Sequence, residues 1–220
     1  MSKYKITMKL LTEAIFGSGH SVPGSVDLEI VYDEFGFPFM KAKTFKGNLR
    51  EVMTETVNLL GEEFKPILES LLGKENDGVE SWKNLKFSDC RLSSNIRNVL
   101  EYGIKEGQIS PDEVKETLTQ IRIFTSIEED GSYKHGSLRQ VRVIRRGLKF
   151  EVEIDSERDL TDKELGLLAV SLRSLRHIGT MRTRGKGEIE CSLHILENNA
   201  YKDKTDFYID MLMKEVNSNA

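Results

Sequence analysis

The last third of the chain most restricts the possible folds, because it places a helix with a clear start between two alternating strands. Residues 148–154 alternate between apolar and polar side chains, as in a strand with one buried face. The capping box at 161–164 opens a helix that carries leucine or alanine at three- and four-residue spacing and is predicted to end near Gly179. Residues 189–195 alternate again. The sequence therefore predicts a strand–helix–strand unit.

The first half of the chain contains a similar order of elements. Residues 4–10 alternate as a strand, and Thr44 is placed to cap a helix that runs to Leu60, where Gly61 ends it. Residues 61–120 are predicted to be a mostly helical insertion, with a strand-like core at 85–92. Together the two halves predict an α+β fold in the split βαβ order, with one sheet packed against two helices.

Two further segments complete the predicted organisation. Residues 120–150 run as extended segments, of which 138–146 are predicted to be a strand with arginine on at least one face, and we interpret residues 126–147 as a β-hairpin arm that reaches away from the body. Residues 1–198 are expected to form a single domain. Residues 199–220 are a tail in which apolar side chains are spaced for a short helix.

Composition excludes several classes of protein. Hydrophobic residues make up 38% and charged residues 31%, which is typical of a soluble globular chain. No apolar run is long enough for a membrane span, and the N-terminus lacks the pattern of a signal peptide. Cys90 and Cys191 are isolated, so we expect core thiols in a reducing, cytoplasmic setting. The four histidines show no zinc spacing.

The distribution of charge says more than its sum. A net charge of −4 argues against a protein that coats nucleic acid indiscriminately. From Lys134 to Lys149 there are six basic residues and no acid, and from Arg173 to Lys186 there are five and no acid. Residues 151–164 are instead rich in acids. Such segregation predicts one basic face on an acidic body, although each run could also be an ordinary solvated surface.

Two glycine-containing basic segments are candidate phosphate sites. Lys46, Gly47 and Arg50 fall at the predicted start of the first helix, where free N–H groups and cations suit a phosphate. Residues 182–187, RTRGKG, lie before the last strand, and their glycines allow a ligand to approach the backbone. The alternatives are an ordinary amphipathic helix and a tight loop with exposed cations.

Three further residues could take part in chemistry on RNA. Asp27 or Asp33 could hold a divalent ion and orient a ribose 2′-hydroxyl for attack on its own phosphate. Asp33 is also well placed to cap a turn, and Asp27 could be a solvated loop residue. His20 could act as a general base without a metal, although a histidine in a glycine–serine loop is often simply at the surface.

The segment VDLEIVYDEFGFPFMKAKTFKGNLRE resembles a motif of the CRISPR-associated RAMP superfamily, roughly D-x-x-V-x-x-D…G-x-P-(Y/F)-(I/x)-P-x-(S/T)-x-(L/F)-K-G-x-(L/F)-R. Three later segments, KFSDCRL, GSLRQVRVIRRGLKFEVEI and RTRGKGEIECSL, are similar to that family's next strand, returning arm and terminal glycine-rich loop. These pieces occur in family order over about residues 4–196. The resemblance implies a ferredoxin-like (RRM-like) βαββαβ sheet with helices on one face.

The similarity points to subunits of type III effector complexes, which stack along a guide RNA and cut target RNA with a loop aspartate and a divalent metal. By this resemblance Asp27 matches the catalytic, metal-binding aspartate, and the ion would be Mg²⁺. Expected partners are guide RNA, complementary target RNA, other RAMP subunits and copies of this chain in a filament, with no membrane. The residues expected to bind RNA are Lys43, Lys46, Gly47, Arg50, Arg139, Arg142, Arg182, Arg184, Gly185, Lys186 and Gly187.

Two departures from the family pattern keep other functions open. Residues 41–43, KAK, stand where the family has a proline, and the insertion at 61–120 has no place on a typical backbone subunit. The alternatives are therefore a non-catalytic scaffold or capping subunit of the same complex, or a metal-independent guide-processing ribonuclease that uses His20. Whether the chain is an enzyme stays open at this point.

Overall fold

The computed structural model describes residues 3–74, 85–125, 131 and 136–219. These residues form an antiparallel main sheet, a separate two-stranded sheet and six α-helices. The strands are β1 (Tyr4–Leu10), β2 (Leu85–Phe87), β3 (Arg91–Leu92), β4 (Thr119–Phe124), β5 (Arg139–Ile144), β6 (Lys149–Ser156), β7 (Ile189–Glu197) and β8 (Ala200–Asp203). The helices are α1 (Ala42–Leu60), α2 (Lys65–Leu72), α3 (Ser94–Lys105), α4 (Pro111–Leu118), α5 (Asp162–Ser174) and α6 (Thr205–Asn219).

The main sheet has the order β2-β6-β1-β7-β8, and β3 also pairs with β6. The first strand of the chain therefore lies between the third and the last strand of the βαββαβ pattern, with β2 and β3 together as the second. Helices α1 and α5 are its two crossovers, and they pack against each other beside the sheet. The predicted ferredoxin-like α+β fold is confirmed.

The core forms because the alternating strands turn one face toward these helices. Ile6 lies opposite Val152 on β6 and Leu193 on β7, and all three side chains are fully buried. Leu49 of α1 and Leu168 of α5 are buried in the same cluster. Each such side chain contributes about 1.5–3 kcal/mol by leaving water, so the layer between sheet and helices accounts for most of the stability.

Local start signals predict the helices well. Thr161 and Ser110 form complete capping boxes with Glu164 and Glu113, as the sequence predicted. Helix α1 ends at Leu60 before Gly61, also as predicted. Helix α5 ends at Ser174, five residues before the predicted end, because the chain leaves helical geometry at the next residue.

The segment 61–120 is not a single helical insertion. Its residues 85–92 form β2 and β3, which pair with β6 in the main sheet. Leu85 and Leu92 are buried there. The helical additions are therefore two separate pieces, with α2 before this pair of strands and α3 and α4 after it.

The predicted arm has a β-hairpin stem formed by β4 and β5. Its base is packed on the body, because Val141 and Ile144 are buried and bridge to Leu28 and Ala14. Residues 126–130 and 132–135, where we predicted the outer part of the arm, lie outside the described residues. The stem is thus anchored to the body over the length of β5.

The tail is more ordered than the sequence indicated. After β8, helix α6 packs along α5, where Leu212 lies against Gly166. A Cβ at Gly166 would lie 2.9 Å from that of Leu212, so the two helices approach closely at this point. None of the helices in the described ranges is long and apolar enough to cross a bilayer.

The face of the sheet away from the core helices is polar. Lys5 of β1 forms an ion pair with Glu151 of β6 at 3.4 Å, and Thr7 hydrogen-bonds His194 of β7 at 3.0 Å. The residues that alternate with the buried ones on these three strands are Lys5, Thr7, Lys9, Lys149, Glu151, Glu153, Asp155, Glu190, Ser192, His194 and Leu196. His194 is the one ring among these eleven, and the ring of Tyr201 on the neighbouring strand β8 lies 4.1 Å from Lys5 Nζ.

Candidate nucleic-acid interface

A groove of about 250 Å³ lies between the first turns of α1, the loop after β1 and the loop after α5. We call it the α1 groove. Two of its lining side chains are cations, Lys41 and Arg182, and no acid is among them. It is lined by Ile15, Phe16, Gly17, Ser18, Val31, Phe39, Met40, Lys41, Thr44, Asn48, Gly179, Thr180 and Arg182.

Arg182 joins the two basic segments that the sequence singled out. Its Nη2 donates to Oδ1 of Asn48 on α1, and its Nε donates to the carbonyl of Gly179 at 3.1 Å. Asn48 directly follows Gly47, so the glycine-rich loop at 182–187 reaches the predicted phosphate-binding part of α1. The structure therefore brings the two segments to the same side of the molecule, with the Arg182 guanidinium fixed in the wall of the groove.

The two glycines of this loop have different tasks. Gly187 has a φ of +77°, and a Cβ there would lie 1.9 Å from the carbonyl oxygen of Ile178. A side chain is excluded at Gly187 because the loop packs closely against the backbone of Ile178. Gly185 also has a positive φ of +71°, but a Cβ would meet nothing within 4 Å. Gly187 is thus needed for packing, whereas Gly185 leaves an open surface between exposed Arg184 and half-buried Lys186.

The start of α1 differs from our prediction. The helix begins at Ala42, and Thr44 does not cap it. The amide of Ala42 instead donates to Oδ1 of Asp89, from the turn between β2 and β3, at 2.9 Å. A carboxylate thus occupies the helix start, and Gly47 lies beyond the first turn, where its N–H belongs to the helix. The predicted cap at Thr44 is therefore wrong, and Gly47, which is exposed, offers a phosphate an open surface rather than a free amide.

Two predicted RNA-binding cations of α1 face the protein. The Arg50 guanidinium donates to the carbonyls of Leu72 and Gly73, and so satisfies the end of α2. Lys46 is buried, and this burial, together with the nearby charge of Arg50, lowers the pKa of its ammonium. Lys43 is exposed. We keep Lys43 for the proposed RNA surface and leave the other two out.

The two arginines predicted on the arm also differ from each other in exposure. Arg139, at the start of β5, is exposed. Arg142 is buried, with Nε 3.1 Å from Glu29 and Nη1 3.0 Å from Glu116. Its Nη1 also donates to the Thr119 hydroxyl at 3.1 Å. The structure gives Arg142 a structural role, so we leave it out of the proposed RNA surface.

Asp27 and His20 lie on one β-hairpin beside the α1 groove. The amide and hydroxyl of Ser18, which lines the groove, both donate to the carbonyl of Glu29 at 2.9 Å. Asp27 precedes Glu29 by two residues, in a bend of the same hairpin. Asp27 is exposed, and its Oδ2 accepts from the backbone amide of Gln140 on β5 at 2.7 Å. His20 is also exposed, and its backbone carbonyl accepts from the backbone amide of Glu29 at 3.0 Å.

Asp33 has a structural role. Its Oδ1 accepts from the amides of Phe35 and Phe37 at 3.1 and 3.0 Å, which closes the turn. Its Oδ2 lies 3.4 Å from Arg97 on α3, and the side chain is only 7% exposed. The alternative that Asp33 caps the turn thus agrees with the structure, and a catalytic role for it does not.

The described residues contain no group of three or more His, Cys, Asp or Glu side chains that could hold a metal ion. Magnesium sites on phosphate substrates often use only one or two carboxylates, with phosphate oxygens and water as the other ligands. The exposed carboxylate of Asp27, fixed through one oxygen by Gln140, fits that kind of site. A closed site made by protein alone does not fit these residues.

Sequence analysis missed several residues that build this interface. Asn48 and Asp89 act through contacts with segments far away in the chain, and no local pattern marks them. Lys41 could have been found, because it begins the KAK segment that replaces the family's proline.

Comparisons with known proteins agree with this fold. The chain resembles a chain in the cryo-EM structure of the type III-B Cmr-beta bound to cognate target RNA, with a TM-score of 0.63, 15% identity and coverage of 86% of this chain and 96% of that one. A chain of the apo Cmr-beta structure gives 0.64 and 16%, over 90% and 98%. No curated protein sequence matches. The family model of the RAMP superfamily matches residues 7–190, and the chain therefore belongs to that superfamily.

Proposed function

We propose that this chain is an RNA-binding subunit of a type III-B CRISPR effector complex. The observation that carries this proposal is the α1 groove, where Arg182 of the glycine-rich loop is fixed against α1 in a cavity with no acidic lining residue. Family membership and the fold it shares with chains of RNA-bound Cmr-beta support it. Lys41, Arg182 and exposed Lys43 and Arg184 would hold phosphates of a guide RNA, which gives register without reading sequence.

The test is the salt dependence of binding between the full chain and a labelled single-stranded RNA. Each lost phosphate contact to a single strand lowers the slope of log K against log salt by about 0.7, so Lys41→Ala/Arg182→Ala should lose about 1.4. Lys163→Ala/Lys214→Ala removes the same charge from α5 and α6 and is the control, because Lys163 lies beside Leu60 at the end of α1 away from the groove. Equal slopes for the two double variants would contradict the proposal.

We further propose that Asp27 cleaves the target RNA bound beside the groove. The ribose 2′-hydroxyl would attack the adjacent phosphorus and release a 5′-hydroxyl, leaving a cyclic phosphate. A Mg²⁺ ion held by the Asp27 carboxylate and RNA phosphate oxygens would counter the charge of the transition state. The support is the exposure of Asp27 on the hairpin that also lines the groove, and its carboxylate is oriented by the Gln140 amide.

Asp27→Asn tests this second step in the complex assembled with guide and target RNA. We expect loss of target cleavage with binding retained, because the amide keeps the size of the side chain and removes its charge. Unchanged cleavage would exclude Asp27 and favour a non-catalytic scaffold. Cutting of repeat RNA by the chain alone in EDTA, abolished by His20→Ala, would instead identify a guide-processing ribonuclease.

A further inference from the structure

A second basic cavity lies at the base of the arm. It is an open depression of about 650 Å³, and we call it the arm-base depression. The glycine-rich loop borders both cavities, since Arg182 lines the α1 groove and Gly185 and Lys186 line the depression. The arm-base depression is lined by Leu11, Thr12, Glu13, Gln120, Arg122, Arg145, Arg146, Gly185 and Lys186.

Glu13 fixes two of the cations around the depression. Its carboxylate is largely buried and lies 2.5 Å from Lys186 Nζ and 2.6 Å from Arg122 Nη2. Burial alone would raise the pKa of Glu13, but the hydrogen bonds from Arg122 and Lys186 lower it below its ordinary value. The carboxylate is therefore ionised at neutral pH, and it ties the arm stem to the glycine-rich loop.

The cations nevertheless exceed the acid. Four basic side chains line the depression against the single carboxylate of Glu13. Arg145 and Arg146, in the turn after β5, are exposed, and neither forms an ion pair with a described residue. Arg145 donates to Oε1 of Gln120 at 3.3 Å, which aligns its guanidinium without neutralising it. The depression thus keeps an excess of positive charge that an anion would neutralise.

We propose that the arm-base depression binds a phosphate of the same RNA strand that occupies the α1 groove, so that this strand crosses the glycine-rich loop. The inference rests on the proposed function and extends its RNA path. Guanidinium groups match the paired oxygens of a phosphate, and Arg145 and Arg146 offer two of them side by side. Gly185 lines the depression, and nothing lies within 4 Å of its Cβ position, which leaves room for a ribose–phosphate backbone.

Arg145→Ala/Arg146→Ala tests this path with the same labelled single-stranded RNA and the full chain. We expect the salt slope of binding to fall by about 1.4 relative to wild type, because two arginine–phosphate contacts are lost. Lys163→Ala/Lys214→Ala should leave the slope at the wild-type value. Arg145→Lys/Arg146→Lys, which keeps the charge, should retain the slope while binding more weakly, since the bidentate geometry is lost.

The results separate this inference from the proposed function. A wild-type slope for Arg145→Ala/Arg146→Ala, together with a reduced slope for Lys41→Ala/Arg182→Ala, overturns the arm-base site alone. No RNA binding by the wild-type chain overturns both. A wild-type slope combined with lost association between chains would identify the occupant as an acidic protein surface and also overturn the RNA site. Thermal unfolding of each variant confirms that the fold is intact.

Discussion

Two clusters of glutamate and basic side chains flank the arm stem, and they differ mainly in exposure. The buried cluster joins Arg142 to Glu29 and Glu116, and the open cluster joins Glu13 to Arg122 and Lys186. The register of β4 and β5 pairs Arg122 with Val141 and Ile121 with Arg142, so the two arginines point to opposite faces of the stem.

The difference shows that burial decides what an arginine on this stem can do. The Arg142 and Glu29 side chains are 6% and 7% exposed, so each serves to neutralise the other. Arg122 is 51% exposed beside an excess of cations, so its cluster can still take a ligand. The sequence indicated Arg142 for RNA binding and gave no role to Arg122, and only the fold shows that Arg142 is the buried one of the two.

The largest effect should come from breaking the buried cluster. Arg142→Met removes the partner of the buried Glu29 carboxylate. Of the contacts described, only the hydrogen bond from the Ile30 backbone amide would remain. We therefore expect a loss of about 3–5 kcal/mol in the free energy of unfolding. Urea denaturation measures it. Adding Glu29→Gln should recover part of the loss. Glu116→Gln, at an exposed partner, should cost less than about 1 kcal/mol. Equal losses at the buried and exposed sites would contradict the comparison.

The next largest effect concerns the loop that carries Lys186 into the open cluster. Gly187→Ala should destabilise the protein by roughly 2–4 kcal/mol, because the new Cβ would clash with the Ile178 carbonyl at a positive φ. Gly185→Ala, with the same backbone strain and no clash, should cost only about 1–2 kcal/mol. Thermal or urea unfolding of the pair checks this, and equal losses would show that the close approach is unimportant.

A third glutamate–arginine pair allows a prediction about pH. Hydrogen bonds from Arg158 lower the pKa of Glu164 to about 2. Burial alone would raise this pKa, but its effect is the smaller of the two. The stabilisation of the folded state by the Glu164–Arg158 pair is therefore present above the unfolded-state pKa near 4.5 and is lost as pH falls toward 2. Since Arg158 is half exposed, we expect about 1–2 kcal/mol at neutral pH. Glu164→Gln keeps the capping box and should flatten stability between pH 5 and about 2; an unchanged acid slope would exclude the pair as its cause.

The smallest effect should come from the open cluster itself. Glu13→Gln should lower the free energy of unfolding by only about 1 kcal/mol, because water can solvate the half-exposed Arg122 and the glutamine oxygen can still accept from Lys186. The same urea series used for Arg142→Met measures it. A loss as large as that of Arg142→Met would mean that the open cluster is as structural as the buried one.

Local signals account for the parts of the fold that the sequence predicted. Capping boxes at Ser110 and Thr161 and the alternation of β1, β6 and β7 act within a few residues, and the structure confirms them. The predicted start of α1 was wrong because the residue that caps this helix, Asp89, lies 47 residues away from Ala42 in the chain. Such a contact depends on strand pairing that no local pattern specifies.

The candidate interface was predictable in position and less so in its members. The family resemblance assigned both the glycine-rich loop and the start of α1 to RNA binding, and the Arg182–Asn48 contact brings these two segments together. It could not show that Arg50 and Lys46 turn inward, because a helix exposes or buries a cation according to the neighbours packed on it. Glu13 carried no signal at all, since its partners come from two distant segments.

The polar face of the main sheet has a consequence for what the protein can discriminate. Single-stranded RNA modules built on a similar sheet hold bases by stacking them on aromatic rings. The open side of β1, β6 and β7 is instead mostly lysine, glutamate, serine and threonine, and its histidine ring, His194, is hydrogen-bonded to Thr7. A surface of that kind gives an unpaired base little to stack on, so on our proposal the RNA would be held through its phosphates rather than on this face. Phosphate contacts carry no sequence information, so the choice of target would belong to base pairing with the guide.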